Sequence, residues 1–173
     1  MNKLARTAQP KTDIPRNAPF SWIILSLLIS YIINLALVKI LWAPDLIALW
    51  ILYWVIHQPN RISFFVAFIL GILMDVHNGS VLGQQSLVYI TLTFMAHILS
   101  RRILCFGIFR QALHVLPLLL LAQCLALIFR LWFDGLWPGV EWFLQSILGA
   151  CIWPLIVFFY SKFFRFRPIP EQH

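Results

Sequence analysis

The stretch GILMDVHNGSVLG, residues 71–83, is where the residue types of this chain could do more than fill a membrane. Asp75 closes the apolar run 64–74, and Gly79 and Gly83 follow it with His77, Asn78 and Ser80 between. A carboxylate beside lipid is costly unless it faces protein or water. Gly71, Gly79 and Gly83 allow sharp backbone turns and close helix approach, which offers a way to house it. Three roles fit this pattern. Asp75 caps its own helix or pairs with His77, Asn78 or a backbone amide; it forms a ligand or proton site; or it meets a partner helix.

Few other residues carry chemistry. There is no nucleophile beside a base, no phosphate-binding glycine loop and no pair of acids, so no enzyme is expected. Cys105, Cys124 and Cys151 stand singly in apolar sequence and read as packing residues. The five histidines lack metal-ligand spacing, and neither metal nor cofactor is expected. Tyr53 and Trp54, with Trp50 and His57 a turn to either side, form an aromatic helix face that can pack or bind. Arg61, Arg101, Arg102 and Arg110 read as topology determinants, or as a site for anionic lipid or a cytoplasmic partner.

The elements that must position these groups are membrane helices. Of 173 residues, 61% are hydrophobic and 11% charged, too little polar surface for a soluble globule. The pattern predicts an all-α membrane protein of six transmembrane helices, at about 20–41, 45–57, 62–76, 86–100, 111–133 and 142–160. Residues 1–19, with Lys3, Arg6, Lys11, Arg16 and three prolines, predict a disordered basic cytoplasmic arm. They are too long and polar for a signal n-region, so the first span is expected to stay as an anchor. The membrane domain covers 20–161, and 162–173 form a basic tail. The second and third helices are short, so a re-entrant hairpin is an alternative to two crossings there. The short apolar piece 103–109, between Arg102 and Arg110, is expected to lie in the interface.

Charge sets the orientation. With both termini cytoplasmic, N-in and C-in, the inner segments hold eleven of the thirteen Lys and Arg residues. Lys39 and Arg130 alone fall toward the outside. The net charge of +7 is therefore spent on topology, and no nucleic-acid partner is expected.

Leu52-Tyr53-Trp54, Pro59-Asn60-Arg61, Gly71-x-x-x-Asp75 and Gly79-Ser80-x-x-Gly83, in this order inside a basic six-span chain, resemble the pattern of the MreD family of rod shape-determining membrane proteins. The resemblance covers the whole chain in length and layout, with its specific residues between 52 and 83. It implies a non-catalytic, multi-pass component of the bacterial inner membrane in the machinery that builds side-wall peptidoglycan. The implied partners are MreC directly, and indirectly MreB, RodA and its penicillin-binding transpeptidase. The implied fold is a compact bundle similar to the substrate-binding subunits of energy-coupling-factor transporters, a fold-level analogy that establishes no ligand. On that resemblance the turn from Asp75 to Gly83 is expected to seat MreC. The rival reading is a small-molecule-binding subunit of a vitamin-type transporter, with Asp75, His77 and Trp54 around a pocket.

Overall fold

The computed structural model describes residues 20–37, 43–59, 62–133, 135 and 137–164, with the side chains of 161–164 excluded. Four expectations lie outside those residues: the basic arm 1–19, the outward place of Lys39, the place of Arg61, and the tail beyond residue 164. All regular structure among the described residues is helical. The helices are α1 (Phe20–Leu37), α2 (Leu46–His57), α3 (Phe64–Asn78), α4 (Gln84–Leu104), α5 (Ile108–Phe133) and α6 (Leu144–Phe164), with a 3-10 turn at Val140–Phe143 before α6.

Local chemistry sets several of the boundaries. Asp45, extended at φ −73° and ψ 97°, accepts from the backbone N–H groups of Ile47 and Ala48 and so starts α2. Ser63 does the same for α3 through Phe65 N–H. Gly79, at φ +64°, ends α3 with its N–H and that of Ser80 both donating to Asp75 O, a left-handed C-cap that favours glycine.

Helix α2 is the axis of the bundle. Every residue from Ile47 to Ile56 except Trp50 is buried, so the helix is apolar all round because protein surrounds it. It packs on α4, α1 and α6, while α3 packs on the far side of α4, and α5 joins α4 to α6. Helices α1, α4 and α5, and the 3-10 turn continued into α6, are long and apolar enough to cross a membrane. At 12 and 15 residues, α2 and α3 span about 18 and 22 Å against a hydrocarbon core of about 30 Å.

One short apolar piece is divided between two helices. Within 103–109, α4 runs on through Leu104, and only a short turn precedes α5 at Ile108. Ile103 is fully buried, and Gln111 donates through Nε2 to Phe106 O at 3.0 Å, tying the turn to α5. Ile103 is thus helix core, whereas Leu104, Ile108 and Phe109 are exposed, a division between two helices that periodicity alone could not show.

Candidate functional site: a polar end of the bundle

Asp75 sits at the C-terminal end of α3 and is fully buried. Its carboxylate caps the N-terminus of the next helix, not its own. Oδ1 accepts from Gln85 N–H and from Ser80 Oγ, each at 2.9 Å, and Oδ2 accepts from Gly83 N–H at 2.9 Å. Two of these donors are unpaired backbone groups at the start of α4, where the helix dipole also favours negative charge. Gly83 holds φ +100° to present its N–H, a conformation that side chains rarely tolerate. His77 and Asn78, the donors named first from sequence, are exposed.

Gly71 explains how α3 and α4 come close enough for this. A Cβ there would stand 2.3 Å from Ser86 Cα and 2.5 Å from Ser86 N. Ser86, also fully buried, donates across the contact to Phe68 O at 3.1 Å. The pair Gly71 and Asp75, one helical turn apart, thus forms a single device: a close approach, and an acceptor for the donors that the approach exposes.

A second acid, which the sequence analysis did not select, completes the site. Asp45 Oδ1 accepts from Asn34 Nδ2 at 2.8 Å besides the two α2 amides, and Oδ2 accepts from Tyr89 OH at 2.8 Å and Gln85 Nε2 at 3.3 Å. Gln85 therefore bridges the carboxylates, its backbone on Asp75 and its side chain on Asp45. Sequence reasoning found no paired acids, yet the fold brings these two into one network. Each rests on a helix N-terminus and on neutral donors, so both are satisfied without a cation. The signals were Pro44-Asp45 before an apolar run, the form of a helix start, and Asn34 alone inside a span.

Across the same end, α5 and α6 form a smaller polar cluster. Gln123 donates through Nε2 to Trp142 O and to Gln145 Oε1, and accepts from Ser146 Oγ. Arg130 lies with its guanidinium 4.8 Å from the ring centroid of Trp142. Between the two clusters lies a cavity of about 600 Å3.

The aromatic face lies toward the other end. Tyr53 and Trp54 are core residues: Trp54 Nε1 donates to Ser26 Oγ of α1 at 2.9 Å, and Tyr53 stacks on His57 at 4.2 Å with Tyr160 5.1 Å away. Neither lines the cavity. Arg101, Arg102 and Arg110 are exposed on either side of the turn between α4 and α5, away from both acids. Cys105, Cys124 and Cys151 are exposed free thiols, and the described residues contain no metal-ligating group of three.

A family model described as rod shape-determining protein MreD matches residues 16–167. That interval contains all six helices and both polar clusters. No solved structure matches the chain.

Proposed function

The chain belongs to the MreD family of rod shape-determining proteins, and from that membership we propose that it is a non-catalytic, multi-pass inner-membrane component of the elongation complex, working by docking MreC. The observation that supports this most directly is the build of the turn between α3 and α4. Asp75 is buried beneath it as an anchor, while Val76, Val81 and Leu82 are exposed around it. A stiff turn with apolar side chains outward suits a partner whose membrane helix emerges beside it, since packing and fixed geometry drive association of helices in lipid. A partner cannot touch the Asp75 carboxylate, so the contact is assigned to the exposed residues.

The positive-inside pattern supports both termini in the cytoplasm, which puts the polar end on the outer face. Through MreC the protein supports side-wall peptidoglycan synthesis by RodA and its transpeptidase near MreB. Replacing Leu82 and Val76 together with Asn should lower recovery of MreC on affinity capture and give rounded cells, at normal membrane levels of this protein. Full recovery of MreC with normal rods sinks the docking reading. A reporter active only outside the cytoplasm, fused after His173, should stay silent; strong signal would overturn the orientation.

The transporter-subunit reading, with the energy-coupling-factor-like bundle it implies, is favoured by one observation, the cavity. Vitamin uptake in a deletion strain separates the two: a shape protein leaves it untouched.

A further inference from the structure

The cavity of about 600 Å3 falls within the size range that holds a small organic molecule. It exists because positions facing one another carry little side chain: Ala48 of α2, Ala122 and Ala126 of α5, and Gly149 of α6 all line it. At Gly149 the helices do close up, since a Cβ there would lie 3.0 Å from Leu119 Cδ1. That level forms the floor, and the space opens from it toward the polar end.

The two charged groups in the lining differ in their partners. Asp45 has both oxygens engaged by five donors. Among the described residues Arg130 has a buried Nε with no hydrogen-bond partner and no carboxylate paired with it, and its guanidinium lies over the Trp142 ring. A cation at membrane depth without a counter-ion is costly, and such residues mark functional sites by default. Gln145 of α6 accepts from Gln123 through Oε1, which leaves its amide nitrogen uncommitted in the lining of the same cavity.

The geometry points to a binding site for a phosphate group carried by a small molecule or a lipid, with Arg130 as the anion contact and the Gln145 amide as a second donor. The planar guanidinium matches the oxygen spacing of a phosphate. Arg130 lies one turn from the end of α5, which stops at Phe133, a depth at which lipid phosphate is the abundant anion. This inference does not depend on the docking of MreC.

The test is native mass spectrometry of the full-length protein, purified in detergent and stripped of lipid, titrated with dioleoyl phosphatidic acid or with glycerol 3-phosphate. One of the two should bind, and Arg130→Gln should weaken it about tenfold or more. Ala126→Phe, which fills the cavity and keeps the guanidinium, should weaken it as well. Binding of the lipid alone assigns a headgroup site, and binding of glycerol 3-phosphate assigns a water-soluble ligand. Binding of neither probe overturns the proposal, as does unchanged affinity in Arg130→Gln. Should that variant fail to fold, unchanged affinity in Ala126→Phe overturns it instead.

Discussion

Two polar clusters face each other across the cavity, and they are built differently. On the α1–α4 side the two acids engage all four carboxylate oxygens with neutral donors of the same chain. On the α5–α6 side a glutamine, a serine and a backbone carbonyl close on one another, and a guanidinium is left with a buried unpaired nitrogen. A satisfied buried network rigidifies what it joins, because every member removed strands the others. An unsatisfied charge joins nothing and is available to something else. Charge in the membrane is thus structural on one side of this molecule and exposed to a ligand on the other.

If that contrast is right, substitutions should grade in severity from the first side to the second. The heaviest is Gly71→Leu. Its Cβ alone meets the Ser86 backbone at 2.3 Å, a contact that no rotamer change relieves. Separating α3 from α4 also breaks the Ser86 bond to Phe68 O. Overpacking of this kind costs about 3 kcal/mol or more, and the protein should be nearly absent from the membrane on immunoblotting. Normal levels would show that the close approach is dispensable.

Asp75→Ala comes next. It strands Ser80 Oγ and the N–H groups of Gly83 and Gln85, of which water can recover some at the turn, for a loss of about 3 kcal/mol. Thermal unfolding in detergent should report it. Asp75→Asn should fall between, since it keeps one acceptor oxygen. A variant as stable as wild type would show that the Asp75 bonds do not hold the turn.

Tyr89→Phe removes a single one of the five donors to Asp45. The other four remain, so the expected cost is about 1 kcal/mol, typical of one hydrogen bond between helices. Ser146→Ala, on the opposite side, should cost about the same, because it removes one donor to Gln123. A much larger loss there would erase the asymmetry.

The parts of this site that sequence made legible are those where the chain is in contact with itself over short distances. Asp75, Ser80 and Gly83 lie within eight residues of each other, and apolar run, acid and glycines announce the turn between two helices. The six helices were legible for a similar reason, as runs of apolar residues between basic or proline-rich breaks. Asp45 was not, for its partners Asn34 and Tyr89 stand 11 and 44 residues away, and on its own it reads as a residue at a span boundary. Gln123 was passed over inside an apolar run because its meaning depends on Ser146, 23 residues on. Of the cavity, the pocket expected around Asp75, His77 and Trp54 caught only His77, since small residues on α2, α5 and α6 are equally the mark of tight packing.

The smallest expected effect on stability is that of Arg130→Gln, and it is the sharpest check on the comparison. A charged residue within a span would ordinarily be assumed to hold the bundle together. Among the described residues the buried Nε makes no hydrogen bond and the ring of Trp142 is the polar group's one recorded partner, an interaction of about 0.5–1 kcal/mol where water has access. Removing the charge also removes its desolvation cost, which acts in the opposite direction. Thermal unfolding in lipid-free detergent should therefore place Arg130→Gln within about 1 kcal/mol of wild type, below Asp75→Ala by a clear margin. With bound phosphatidic acid or glycerol 3-phosphate present, wild type alone should gain stability, because a ligand that binds only the folded state raises its unfolding temperature. A ligand-free loss as large as that of Asp75→Ala would make Arg130 a structural residue after all, and the two sides of the cavity alike.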